Sequence, residues 1–371
     1  MQNQFNQFVI NRYPQNQPNL QAWDSADEYL LSELGQFVDL KSRNILIFND
    51  AFGALSVSLS EFKPTTVSDS FISHQAIQKN LELNGIPDNT ITLLNPLDEI
   101  QSEFDIILMK IPKSVDDLMY FLSAIQNHLQ TDSRILLAGM VKHIPKNLWD
   151  VLQQYGECIT LPGVKKAKML YFKFMDKITS PYPNYPKYFK LADSETKIFN
   201  HANVFSKNSL DIGTRFLLDN IPKMEAPEKI IDLACGNGVI GLTLANIYPQ
   251  AEITFTDESF MAVESARLTM KANFNDLSRF KFITTDCLDG FEKNSCDLIV
   301  NNPPFHQNST IGTFIAEKMF RQSKAVLNKN GALVVVANRH LPYFHKLKKL
   351  FKNTQTIASN RKFNIYKSSI K

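Results

Sequence analysis

The sequence predicts an α/β chain in which one strand–helix alternation is written twice, each copy a mostly parallel sheet with helices on both faces. Three observations predict it. Short apolar runs of strand length alternate with longer segments of helical period through the second half. The same order of runs, at similar spacing, recurs in worn form in the first half. Between the halves lies a stretch too rich in proline to belong to either.

Taken in order, "NILIFNDAFGALSVSLS" (44–60) reads as a strand, a turn with Gly53 and a helix. "VSDSF" (67–71) ends a second strand and opens a helix, "FDIILMKIP" (104–112) is a buried strand stopped by proline, and "RILLAG" (134–139) is another strand. Residues 176–190, "DKITSPYPNYPKYFK", hold three prolines and four aromatics and read as a linker laid on a surface. The boundary falls near 185, giving domains 1–185 and 186–371. "FSKNSLDIGTRFLLDNIP" (205–222) is a loop followed by a helix. Then come a strand in "KIIDLA" (229–234), a helix in "GVIGLTLANIY" (238–248), a strand in "EITFTD" (252–257) and a helix in "SFMAVESARLTMKANF" (259–274). "FKFITT" (280–285) and "DLIVN" (297–301) are strands, 312–327 a helix, "GALVVVA" (331–337) a strand and "YFHKLKKLF" (343–351) a helix. "TQTIAS" and "KFNIYK" close the chain as an antiparallel hairpin. Strands separated by helices imply a parallel sheet covered on both faces.

Laid side by side, the halves put Gly53 opposite Gly238 and Asp69 opposite Asp257. Ala51 stands opposite Gly236, and Lys110-Ile111-Pro112 opposite Asn302-Pro303-Pro304. The first copy is therefore expected to be degenerate.

Hydrophobic content of 44% and charged content of 21% belong to a folded soluble chain. No apolar run approaches the roughly 18 residues of a membrane span. The opening "MQNQFNQFVI" lacks the pattern of a secretory signal. Four cysteines with no CxxC pair argue against a metal or disulfide framework, so the expectations are no metal and a cytoplasmic location. Nothing implies an obligate protein partner. Net charge is +3, but residues 339–371 hold nine Lys or Arg and no acid. A basic tail on a mildly acidic body suits a polyanionic partner, or is simply a solvated helix face.

The chemistry lies in the second half. Asp232-Leu-Ala-Cys-Gly236-Asn-Gly238 joins a strand to a helix, where glycines let backbone pass close to a ligand. Asp257, 19 residues after Gly238, can accept from ribose hydroxyls. Alone, this pair also fits a nicotinamide cofactor or a tight helix start. Asp232 sits where it would repel a pyrophosphate but suits a cation, and S-adenosylmethionine carries a sulfonium and an ammonium and no phosphate. Asp286 can accept from an adenine amine, or be a loop acid. Asn302-Pro303-Pro304-Phe305 stands at the carboxyl end of the fourth strand, where open α/β sheets bind ligands. The Asn302 side-chain carbonyl and the Pro303 backbone carbonyl can accept both hydrogens of a planar amine, the prolines stiffen the loop, and Phe305 can stack on a base. His306 either orients that loop, touches RNA or is an ordinary loop histidine.

"DLACGNGVIGLTLA", "NNPPFHQ" and "VANRHLPYFHKLKKLF" together resemble the ribosomal RNA guanine-(N2) methyltransferases with a duplicated domain. The chain is most similar to the 23S enzymes of the RlmG type, while the 16S enzymes of the RsmC type share the NPPFH motif and double domain but differ in the final helix. The resemblance implies two tandem Rossmann-like class I methyltransferase domains with seven-stranded sheets. It also implies S-adenosylmethionine as cofactor, 23S ribosomal RNA as partner and an N-terminal copy that holds RNA without catalysis. By the motif match, Asp232, Gly236, Gly238, Asp257 and Asp286 fall on cofactor positions and Asn302, Pro303, Pro304 and Phe305 on the acceptor clamp. Ala234 departs from the glycine common there. Lys165, Lys166 and Lys168, with His306, Arg339, Lys346, Lys348 and Lys349, are the candidate phosphate contacts. Competing readings are a 16S rRNA guanine, a protein glutamine or adenine amine as acceptor, and a non-catalytic RNA-binding assembly factor.

Overall fold

Ile45–Phe48 (β1) is buried at all four positions, as an unbroken apolar run becomes at the centre of a sheet covered on both faces. The computed structural model describes residues 7–14, 20–36, 40–176, 181–191, 194–204, 209–304 and 310–370. The chain divides into two units, Met1–Tyr185 and Pro186–Lys371.

In the first unit β1 is joined by β2 (Thr65–Val67), β3 (Thr92–Leu94), β4 (Phe104–Lys110), β5 (Leu129–Met140), β6 (Gly156–Thr160) and β7 (Ala167–Phe174) in the order β3-β2-β1-β4-β5-β7-β6. Only β7 and β6 break the parallel run, β7 lying antiparallel to β5. Helices α1 (Ser25–Leu34), α2 (Ala54–Ser58), α3 (Phe71–Leu83), α4 (Val115–Ile125) and α5 (Leu148–Leu152) cover the faces. Alternate residues of β1 enter separate cores. Ile45 and Ile47 pack with Leu30, Leu55 and Ile77, and Leu46 and Phe48 with Leu118, Phe121 and Leu122.

The second unit opens on an antiparallel pair, β8 (Lys187–Lys190) and β9 (Lys197–Asn200), and helix α6 (Ile212–Leu218). The pair corrects the expectation of an irregular 176–190. The last proline is Pro186, so the next four residues keep their donors, and Tyr188 meets Phe199 across the ladder at 5.4 Å between ring centroids. Then follow β10 (Lys229–Leu233), α7 (Val239–Ile247), β11 (Glu252–Asp257), α8 (Phe260–Asn273), β12 (Phe280–Thr284), β13 (Cys296–Asn301), α9 (Thr310–Val326), β14 (Leu327–Asn338), α10 (Tyr343–Phe351), β15 (Asn353–Ser359) and β16 (Phe363–Ser369). Their sheet runs β12-β11-β10-β13-β14-β16-β15, the same order as the first, with β16 antiparallel to both neighbours. The expected fold class is thus observed twice. β14 starts four residues earlier than its apolar run suggests, continuing through Asn330 at φ 68°. The ladder to β13 shifts register there, and asparagine tolerates that left-handed conformation.

Chain order reverses at β10, with β11 on one side and β13 on the other. The crevice at the carboxyl ends of these strands is where such sheets hold ligands.

Candidate active site

The turn after β10 carries three left-handed residues within five: Ala234 (φ 58°), Gly236 (φ 52°) and Gly238 (φ 76°). A Cβ on Gly236 would meet nothing within 4 Å, so the backbone there lies open. A Cβ on Gly238 would come within 2.8 Å of Ala266, and one on Gly241 within 2.1 Å of the Phe255 ring. These two glycines serve helix packing, while Gly236 keeps space over the turn.

Two carboxylates brace the turn. Asp257, ending β11, accepts from Gly236 N at 3.0 Å through one oxygen and from Ser259 N at 3.1 Å through the other. Burial pushes its pKa up against those bonds. Asp232 is fully buried on β10 and accepts from Gly241 N at 2.8 Å. Its other oxygen has no hydrogen-bond partner among the described residues. Burial, reinforced by nearby Asp257, pushes its pKa up to about 8. An open turn flanked by a buried, unpaired carboxylate oxygen fits a cationic nucleoside and would not fit a pyrophosphate.

Asp286 follows β12 and is buried, with Lys318 of α9 paired to it at 2.6 Å. Lys318 also pairs with Asp289 at 2.8 Å, and the two carboxylates overcome burial to raise its pKa. The acid expected to face adenine is thus tied to the helix that follows the Asn-Pro-Pro-Phe loop.

Asn302 stands one residue past β13. Its Nδ2 donates to Thr214 Oγ1 of α6 at 2.9 Å, and its Oδ1 is buried with no partner among the described residues. Pro303 is buried and Pro304 half-buried. Phe305 and His306 lie outside the described residues. Thr214, Asp211 and Lys318 were not anticipated from the sequence. Asp211-Ile-Gly-Thr214 carried a readable helix-start signal, but its reach to a residue 88 positions later did not show.

The basic candidates are partly engaged. Lys165 and Lys166 form the turn before β7 at φ 44° and 67°, with Lys165 paired to Glu28 at 3.1 Å. The Lys168 ammonium lies 5.1 Å from the Trp149 ring centroid. Lys346 pairs with Glu317, Lys348 lies over Phe344 and Arg339 donates to the Asn360 carbonyl. Lys349 is exposed on α10.

The first unit carries the same framework with other residues at the corresponding positions. Phe48 pairs with Val67 as Leu233 pairs with Thr256, so the residue in the place of Asp257 is Ser68. This corrects the pairing of Asp69 with Asp257. Asp50 stands at the place of Cys235 and turns back on α2, accepting from Gly53 N, Leu55 N and Ser56 N at 2.8–3.0 Å. Lys110, in the place of Asn302, is half-buried and held in ion pairs with Asp24 (2.8 Å) and Asp27 (2.7 Å). A cavity of about 120 Å³ remains beside Asp50, Ala51 and Lys110. Ligand pockets typically measure roughly 300–1,000 Å³.

Comparison with known proteins matches both halves. Residues 195–367 match the methyltransferase small domain, and residues 1–176 match the RLMG N-terminal domain. In structure the chain resembles the 16S rRNA N2 methyltransferase RsmC of T. thermophilus, solved in complex with AdoMet and guanosine. The TM-score is 0.76 at 18% identity, covering 94% of this chain and 92% of that one, a likeness of fold. In sequence it is 40% identical to the ribosomal RNA large subunit methyltransferase G of Pseudoalteromonas translucida (strain TAC 125) over 362 residues, 96% of this chain and 94% of the relative. Identity at that level, sustained through both halves, means that the chain belongs to the ribosomal RNA large subunit methyltransferase G family.

Proposed function

We propose that this chain methylates the exocyclic N2 amine of a specific guanine in 23S ribosomal RNA, using S-adenosylmethionine, in the cytoplasm. The observation that carries the reading is the Oδ1 of Asn302 at the carboxyl end of β13, buried and unpaired among the described residues, the acceptor an amine hydrogen needs. The large-subunit name of the 40% identical relative supports 23S over 16S RNA.

When bound, S-adenosylmethionine supplies an activated methyl on a positively charged sulfur. In this reading Asp257 would accept from the ribose hydroxyls, Asp286 from the adenine amine, and Asp232 would meet the cationic end, with Gly236 leaving room for backbone approach. The guanine amine is a weak nucleophile because its lone pair is delocalised into the ring. Asn302 Oδ1 and the Pro303 carbonyl would accept its two hydrogens and bend the nitrogen toward tetrahedral geometry, so that the lone pair is withdrawn from the ring π system and localised on nitrogen. Orientation and fixed dipoles do this work. No general base is required, because the proton is shed to solvent after transfer. A paired guanine must first be turned out of its stack, and Phe305 would hold it there. The first unit, with Ser68, Asp50 and Lys110 where a site would need other groups, serves to hold RNA. Lys166 and the basic face of α10 are its and the second unit's candidate phosphate contacts.

Labelled methyl transfer to purified 23S RNA, 16S RNA, DNA and protein, followed by nucleoside analysis, tests the reading. N2-methylguanosine in 23S RNA is expected. Label in 16S RNA, adenine or protein, or no label at all, would overturn it in favour of the corresponding acceptor or of a non-catalytic binder.

A further inference from the structure

We infer that Thr214 is a positioning residue for the acceptor clamp: with Asp211 it fixes which way the Asn302 amide faces. The inference rests on the assignment of Asn302 to that clamp.

An asparagine amide has two ends of nearly equal shape and opposite hydrogen-bonding sense. A clamp for an amine needs the oxygen turned to the acceptor. Turned round, the NH2 would set hydrogens against hydrogens. Asn302 itself does not choose between the two. Thr214 Oγ1, 2.9 Å from Asn302 Nδ2, could in isolation either donate or accept. Asp211 biases that choice. Its Oδ2 caps α6, accepting from Thr214 N at 3.0 Å, and lies 3.5 Å from Thr214 Oγ1. An ionised carboxylate only accepts, so the hydroxyl hydrogen is drawn toward Asp211 and a lone pair faces Asn302. The amide then donates to Thr214 and turns Oδ1 the other way.

The outcome of that choice is visible. Oδ1 is buried without a donor among the described residues, a state that costs free energy. It persists because the other end is anchored to α6. The anchor is stiff, since Thr214 is itself buried in the first turn of a helix capped by the same Asp211. Three residues from two elements therefore form one relay, from carboxylate through hydroxyl to amide, ending in a buried acceptor with no partner of its own among the described residues.

The test is a mutant cycle read by single-turnover methylation of 23S RNA. Thr214→Val keeps the shape and removes the hydroxyl. It is expected to slow transfer by about 10–100-fold, the scale of losing the aim of one reacting group. Affinities for S-adenosylmethionine and for RNA, by calorimetry and filter binding, should be unchanged. Thr214→Ser should restore most of the rate. Thr214→Ala, which a helix tolerates well, repeats the measurement should valine disturb α6. In an Asn302→Ala background, Thr214→Val should add no further loss, because the two residues act as a unit. Near-normal transfer by Asn302→Ala would sink the clamp assignment itself. Slow Asn302→Ala with fast Thr214→Val and Thr214→Ala would overturn this inference alone. So would an additive loss in the double variant, or a rate loss matched by weakened cofactor binding, since either marks a merely structural threonine.

Discussion

Replacing Asp232 by asparagine should stabilise the ligand-free protein at neutral pH while weakening its hold on S-adenosylmethionine. Asp232 is fully buried, with one oxygen bonded to Gly241 N at 2.8 Å and the other unpaired among the described residues. Its pKa rises from 3.8 to about 8 on folding, chiefly through burial. Between those values the folded chain keeps a proton that the unfolded chain has released. What this group contributes is therefore most favourable below pH 3.8 and is progressively lost as pH rises to about 8. At about 1.4 kcal/mol for each of roughly three pH units, the loss at pH 7 is on the order of 4 kcal/mol. The Asp232→Asn variant never ionises and keeps a carbonyl for Gly241 N. It buries an NH2 without a partner, at about 1–3 kcal/mol. The net gain at pH 7 is on the order of 2 kcal/mol, and it should shrink toward zero or reverse near pH 5.

Binding should move the other way. A cation draws the carboxyl into its ionised form, so wild-type affinity should rise between pH 6 and 8 with proton release, while the variant binds more weakly and without that slope. Urea unfolding from pH 5 to 8 and calorimetric titration with S-adenosylmethionine in buffers of different ionisation enthalpy read both effects. If the variant is destabilised equally at pH 5 and 8, Asp232 is only a cap for α7. If wild-type affinity is flat over that range, no cation meets it.

Further outcomes follow from the same geometry. Asp257→Asn keeps an acceptor for Gly236 N but loses the charge, so cofactor affinity should fall by about 10–100-fold, the scale of one charge-assisted bond, and unchanged calorimetric affinity would exclude Asp257 from the site. One cofactor should bind per chain, because Ser68 and Lys110 replace Asp257 and Asn302, and a stoichiometry of two would refute the degeneracy of the first unit. Ala234→Gly relieves a left-handed alanine, and thermal unfolding should show a gain of about 0.5–1 kcal/mol with turnover preserved. RNA binding by the full chain should weaken steeply with salt, as phosphate contacts require, and salt-independent binding would count against the basic faces.

Much of the second half was legible because its elements carry their own signals. Glu252–Asp257 and Tyr343–Phe351 are bounded as their patterns suggested. The Asn-Pro-Pro run marked the end of β13, since proline cannot continue a ladder. The first half misled where identity was weighed over geometry. Asp69 is the acid nearest the end of β2, yet Ser70-Phe71 and Ser259-Phe260 both cap and open a helix. Aligning those pairs, which were plain in the sequence, puts Ser68 against Asp257. The Lys318–Asp286 pair and the Thr214–Asn302 bond were hidden for another reason. Each joins elements far apart in sequence, and the residues give no local sign of a long-range partner.

The two halves also separate what the fold needs from what the site needs. In both, the helix after the first strand opens through a left-handed glycine, Gly53 or Gly238, pressed against the next helix at Ile77 or Ala266. In both, a carboxylate accepts from the equivalent backbone N–H of that helix at 2.8 Å, Asp50 from Ser56 N and Asp232 from Gly241 N. That bond is therefore a requirement of the framework, not of catalysis. The difference is where the carboxylate stands. Asp232 reaches from within the strand and leaves the turn open at Gly236. Asp50 stands inside the turn and spends both oxygens on its backbone. Moving the cap three positions along the chain closes the turn with the protein's own side chain, and Lys110 then finds its partners in Asp24 and Asp27. The two capping carboxylates thus leave the turn open in one unit and closed in the other, on sheets of the same strand order.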